Sequence, residues 1–165
     1  MHDASEFEAY VAADGSRLLR VAYLMVGDRA EAEDLVQVCL LRVLRRWNRI
    51  DGSPHPYARA VLARLATDRW RRLHARPRQV PLVDEHLDAA DPFGAADVRQ
   101  ALVTGLRALP ARQRAALVLR YFEGLSEAET AATMGVSSGT VKTHTARGLA
   151  ALRASLATAD EGTTR

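Results

Sequence analysis

An all-α fold built from two small helical modules is predicted by three features of this 165-residue chain. Aromatic residues make up only 5%, while alanine and leucine are plentiful and β-branched runs are few, a composition that favours helix over strand. Apolar residues recur at three- and four-residue steps through most of the chain, the period of a helix with one buried face. That period stops between Arg78 and Val98. There the text QVPLVDEHLDAADPFGAAD carries Pro81, Pro92, Gly94 and the acids Asp84, Glu85, Asp88, Asp91 and Asp97, which reads as an acidic, flexible linker. The expected organisation is a first module over 1–78, a linker over 79–97, a second module over 98–158 and a disordered tail over 159–165.

The first module reads as three helices. From Glu6 to about Val26, Phe7, Tyr10, Val11, Leu18, Val21, Ala22 and Met25 keep a helical step, with Gly15 a point of interruption and Gly27 and Asp28 a stop and restart. From Arg29 to Trp47 the pairs Leu35/Val36, Cys39/Leu40 and Val43/Leu44 give one broad apolar face. IDGSPHP reads as a loop, and Pro56 opens a third helix that runs to His74 through Tyr57, Val61, Leu62, Leu65 and Ala66.

The second module reads as four shorter helices. One spans Val98 to Leu109, and Pro110 opens the next, which runs to Glu123 before Gly124. Ser126 and Glu129 form a capping box for a third, which Gly135 ends, and Ser137 caps the fourth, with Val141, Leu149, Leu152 and Leu156 facing inward. A short helix, a glycine turn and a longer helix make a helix-turn-helix.

Composition narrows the function classes. With 48% hydrophobic and 26% charged residues the chain is able to bury a core, so wholesale disorder is excluded. The N-terminus MHDASEFEAY is acidic and no apolar run nears the ~18 residues of a membrane span, so a cytoplasmic protein with no membrane span is expected. The single cysteine, Cys39, lies on the apolar face of its helix and reads as a buried structural thiol. His2, His55, His74, His86 and His144 are scattered without metal-ligand spacing, and neither GxxxxGK[ST] nor GxSxG occurs. The carboxylates of EAED (Glu31, Glu33, Asp34) stand early in a helix, where they favour its positive end. No catalytic residue, metal or cofactor is expected.

The basic residues point elsewhere. Net charge is +3, and 98–157 carries eight basic residues against the three acids Glu123, Glu127 and Glu129. The second helix of the helix-turn-helix has a small, polar leading face, Ser138, Gly139, Thr140, Lys142, Thr143 and Arg147, that fits a major groove about 12 Å wide. A second concentration, Arg59, Arg64, Arg69, Arg71, Arg72, Arg76 and Arg78, is opposed only by Asp68 and interleaved with Tyr57 and Trp70, a composition suited to tracking an unpaired strand. Taken alone, these features are also compatible with an autonomous DNA-binding regulator, or with a protein that sequesters another regulator.

Three segments in series resemble a bacterial sigma factor of the small extracytoplasmic-function type, over nearly the whole chain from Phe7 to Leu156. GDRAEAEDLVQ (27–37) resembles the segment that binds the clamp helices of the polymerase β′ subunit. YARAVLARLATDRWRR (57–72) resembles the segment that recognises the minus-ten element. LPARQRAALVLRYFEGLSEAETAATMGVSSGTVKTHTARGLAALR (109–153) resembles the domain that reads the minus-thirty-five element. The phrases YLMVGDRAEAEDLVQ and LSEAETAATMGVSSGTVK are most similar to an actinobacterial SigE-like branch.

The resemblance implies a sigma factor that binds core RNA polymerase, confers promoter recognition and assists melting. Its implied partners are core polymerase, through the β′ clamp helices and the β flap, promoter DNA, and an anti-sigma factor of the kind the family often has. Glu33, Asp34, Leu35, Gln37 and Arg42 are implied to dock polymerase. His55, Tyr57, Arg59, Arg64, Asp68, Arg69, Arg71 and Arg72 are implied to follow the minus-ten strand, and Ser138, Thr140, Lys142, Thr143 and Arg147 to contact the minus-thirty-five duplex. Two positions depart from the family pattern. Arg64 stands where an asparagine is common, and Ala146 where a larger residue often sits.

Overall fold

A computed structural model describes residues 4–73 and 96–163, excluding the side chains of 70–73 and 159–163. Its elements are α1 (Ala4–Val26), α2 (Arg29–Arg46), a 3-10 turn (Trp47–Arg49), α3 (His55–Leu73), α4 (Ala96–Ala108), α5 (Ala111–Leu117), a π-helical turn (Val118–Phe122), α6 (Glu127–Met134) and α7 (Ser138–Thr163). Every described element is helical. Most of the expected linker, 79–95, and Arg76 and Arg78 fall outside the described residues; Ala96 and Asp97 form the first turn of α4 instead.

Helix boundaries follow local chemistry. The N–H of Gly27 donates to the carbonyl of Tyr23 at 2.7 Å with φ +72, the left-handed stop that a residue without Cβ adopts at least cost. A Cβ there would also fall 2.2 Å from Cγ of Arg107. Asp28 then caps α2, its Oδ1 accepting from the N–H of Glu31 at 2.8 Å, while Arg45 and Arg46 in the last turn complement the helix dipole. Gly15 does not interrupt α1, because it keeps helical geometry in a helix held by its buried face. The helix opened by Pro110 is not uniform: it widens into the π turn at Val118 and ends beyond it. Helix α7 continues to Thr163, well into the stretch expected to be a disordered tail, and alanines at 150, 151, 154, 157 and 159 supply the propensity.

The first three helices pack pairwise into a bundle around Leu18, Ala22, Cys39, Val43 and Leu62, all fully buried. Trp47 closes one end against Phe7, edge to face with ring centroids 5.2 Å apart, and against Tyr10 at 5.6 Å. Cys39 is buried as its position implied, its Sγ donating to the carbonyl of Ala58, and burial pushes its thiol up to about 12, far from a reactive thiolate. In the second module α4, α5 and α6 pack around α7, with Leu106, Val118, Leu119 and Val141 inside. The two modules do not stand apart. Helix α1 packs on α4 and the π turn, and α3 on α5 and α6, so that one apolar cluster runs through both.

Candidate nucleic-acid interface

Helix α2 buries Ala32, Leu35, Val36, Cys39 and Val43, and the helical period therefore turns Asp34, Gln37, Val38, Leu41, Leu44 and Arg45 outward. Val38, Leu41 and Leu44 are 41%, 56% and 48% exposed, three large apolar side chains in a row bordered by an acid, an amide and arginines. Such a stripe has the composition found in protein-docking surfaces. Asp34, Gln37 and Arg42 are exposed, and Glu33 accepts from Nε of Arg29 at 2.9 Å. Leu35 corrects the sequence expectation. It is 4% exposed and belongs to the bundle core, and the exposed apolar side chains are Val38, Leu41 and Leu44; sequence reasoning did not single out Val38 or Leu41, and it placed Leu44 with Val43 on the apolar face.

The basic face of α3 divides into two parts. Toward its middle, Arg64 and Asp68 are exposed and line a cleft of about 570 Å³ together with Tyr57, Arg42 and Arg46 from their own module. The opposite wall is Arg112 of α5 and the 132–136 stretch that forms the turn of the helix-turn-helix. Arg46 places its guanidinium 5.7 Å above the Tyr57 ring centroid. Arg69 is already engaged, Nη2 lying 3.7 Å from Glu31. The side chains of Arg71 and Arg72 lie outside the described part.

At its start α3 is less accessible than expected. The helix begins at His55 itself, whose amide hydrogen-bonds Ser53, and the imidazole is buried rather than set in an exposed loop. Its Nε2 lies 2.9 Å from Oε2 of Glu123 in the second module. Arg59 reaches the same oxygen at 3.5 Å, and Arg17 of α1 grips Glu123 with Nε at 3.0 Å and Nη2 at 3.2 Å. The Glu123 side chain is only 2% exposed. Burial by itself would raise its carboxyl pKa, but the hydrogen bonds from His55 and Arg17, reinforced by their charges, win and bring it down to about 2. Because an ionised carboxylate only accepts, the His55 Nε2 carries the proton in this contact. Neither Arg17 nor Glu123 was a sequence-level candidate, since their separations of 64 to 106 residues leave no local signal.

The helix-turn-helix is tightly capped. Oγ of Ser126 accepts from the N–H of Glu129 at 3.1 Å while the Glu129 carboxylate accepts from the N–H of Ser126 at 2.7 Å. The bond from the Ser126 N–H, followed by the Ser126 hydroxyl, also holds the Glu129 carboxyl below its ordinary pKa. Gly135 ends α6 at φ 67, ψ 38, and Oγ of Ser137 accepts from the N–H of Thr140 at 3.1 Å to start α7. Val141 and Gly148 are buried toward α5 and α6, so Ser138, Lys142, Thr143, Ala146 and Arg147 face solvent and Thr140 is half-buried. Lys142 Nζ has an acid 3.7 Å away, Glu127, in an exposed pair of small worth. Burial, then the charges of Arg112 and Arg147, lower the pKa of His144, so it adds no charge to this helix at neutral pH.

These features define a helix-turn-helix protein with a second cationic helix in its first module and an exposed apolar stripe on the helix before it. Residues 10–76 match the family model "Sigma-70 region 2" and 99–152 match "Sigma-70, region 4". The RNA polymerase sigma-E factor of Streptomyces coelicolor is 37% identical over 97% of this chain and 91% of that protein. Among solved structures, the extracytoplasmic function sigma factor SigJ of Mycobacterium tuberculosis is 29% identical with a TM-score of 0.62, over 91% of this chain and 53% of that one. The sigma factor RpoE of Bartonella quintana, solved with the anti-sigma factor NepR, has a TM-score of 0.73 at 19% identity, over 93% of this chain and 98% of that one, and shares the fold. The chain belongs to the sigma-70 family of RNA polymerase sigma factors, in its extracytoplasmic-function group and SigE-like branch. It is a sigma factor for promoter recognition and transcription initiation, a role without catalysis of its own. No described helix is long and apolar enough to cross a membrane.

Proposed function

We propose that the three exposed faces divide the work of initiation. The outer face of α2, with Asp34, Gln37 and Arg42 around Val38, Leu41 and Leu44, docks core polymerase. Three adjacent large apolar side chains in water on an otherwise well-buried bundle are the observation that carries this reading. The face of α3, with Arg64, Asp68 and the Tyr57 ring, takes the minus-ten strand as it leaves the duplex, stacking offsetting part of the few kcal/mol that unstacking costs. The outer face of α7, with Ser138, Lys142, Thr143 and Arg147, enters the major groove at the minus-thirty-five element. The protein acts in the cytoplasm beside polymerase, and an anti-sigma partner like the one bound to the Bartonella protein fits the same exposed faces.

Run-off transcription with purified core polymerase on a genomic promoter library tests the reading. Protein-dependent starts that share two spaced upstream elements are expected, and Asp34→Lys is expected to remove them. Starts that are equally frequent without the protein, or with the variant, would overturn it.

A further inference from the structure

The contact at Glu123 is built from unequal halves. All three cationic or proton-donating partners, Arg17, His55 and Arg59, belong to the first module, and the carboxylate alone comes from the second. If the acid is withdrawn, two guanidiniums and an imidazole converge on one buried point. The nearest remaining acid is Asp14, whose Oδ1 is 3.7 Å from His55 Nδ1. The pocket also offers a donor that the carboxylate does not use: Arg59 Nε is buried and makes no hydrogen bond. Arg17 meets the acid through two parallel N–H groups, the fork that fits the two oxygens of a carboxylate or of a phosphodiester equally. The pocket lies at the start of the same helix that carries Tyr57, Arg64 and Asp68.

We propose that Arg17, His55 and Arg59 form a binding pocket for one backbone phosphate of single-stranded DNA, and that Glu123 fills it in the free chain as an internal substitute for that phosphate. The two modules then have to separate before the strand is seated, and the strand and Glu123 compete for the same donors. This deepens the sigma-factor reading by adding Arg17, on α1, to the strand-binding surface and by giving the contact between the modules a role.

The test uses the full chain, a labelled oligothymidylate strand, and the variants Glu123→Gln, Glu123→Lys and Arg17→Ala/Glu123→Gln, each checked for folding by circular dichroism. Small-angle scattering reads whether the modules separate. Glu123→Lys replaces attraction by repulsion, and Glu123→Gln avoids adding a charge of its own. A closed parent that opens about a tenth of the time or less implies that an opened variant binds the strand at least about tenfold tighter. Adding Arg17→Ala is expected to reverse most of that gain and to reduce the slope of log affinity against log salt by about 0.7, the signature of one lost phosphate contact on a single strand. The proposal is overturned if neither Glu123 variant expands the molecule, or if an expanded variant binds the strand no tighter. It is equally overturned if the double variant keeps the affinity and salt slope of Glu123→Gln. None of these readouts involves polymerase. A chain that passes them yet directs no transcription keeps its pocket and loses the sigma reading.

Discussion

Arg114, in the second module, donates from Nη1 to the main-chain carbonyl of Met25 at the end of α1, 2.6 Å away. Its Nη2 serves the carbonyls of Leu109 and Arg107 at the end of α4, at 3.0 and 3.3 Å. One guanidinium, 2% exposed, thus caps the C-terminal ends of two helices from different modules. The last carbonyls of a helix have no partner within it, and where such ends are buried a cationic donor is the favourable solution.

Arg114→Ala leaves those carbonyls buried without a donor and opens a void where the side chain was, and roughly 2–4 kcal/mol of stability is expected to go. Arg114→Lys keeps the charge but cannot span three acceptors, so it should recover only part of the loss. Urea unfolding of the three proteins checks both, and a wild-type midpoint for Arg114→Ala would show that the cap contributes nothing.

Much of the fold was legible because its signals are local. The capping box at Ser126 and Glu129, the glycine stop at Gly135 and the apolar step through Leu35, Cys39 and Val43 each lie within one or two helical turns, and the structure places all of them as read. The accessibility of site residues was less legible. Leu35 and its exposed neighbour Val38 look alike in composition, and only the choice of buried face separates them. The contact between the modules was not legible at all: an arginine such as Arg17 or Arg114 in an arginine-rich chain carries no mark that it will meet Glu123, 106 residues away, or Met25, 89 residues away.

The outer stripe of α2 gives a sharper test of polymerase docking than any charge. Leu41 is more than half exposed, so Leu41→Glu should leave the bundle's stability within about 0.5 kcal/mol of the parent. At the centre of an apolar interface the same change should cost about 2 kcal/mol or more, near a thirtyfold rise in Kd for core polymerase. Surface plasmon resonance against immobilised core enzyme measures the second effect and thermal melting the first. Weakened binding together with a lowered Tm would mean instead that Leu41 supports the fold.

Lys142 and Arg147 are exposed on α7 and differ in what surrounds them: Lys142 has Glu127 3.7 Å away, whereas Arg147 has His144 within its field. If each meets a phosphate in the minus-thirty-five duplex, replacing either with alanine should weaken holoenzyme binding on all promoters alike and reduce the salt slope by about 0.9. A base contact would instead relax sequence preference at one position. Filter binding at several salt concentrations on parent and substituted promoters separates the two outcomes.

Closure between the modules should depend on pH with a definite sign. The Glu123 carboxyl sits at about 2 in the folded chain against an ordinary 4.5, so the folded state binds fewer protons than the unfolded one between those values. The stability this group confers is therefore complete above about pH 4.5 and is lost as pH falls toward 2. Protonation of other carboxylates destabilises in the same range, which makes the informative quantity a difference. The parent should lose stability more steeply than Glu123→Gln from pH 4.5 downward. Unfolding free energies at a series of pH values give both slopes. Parallel curves throughout the acid range would mean that the arginines and His55 do not favour the ionised form of Glu123 over the protonated one, and the depressed carboxyl would have to be abandoned.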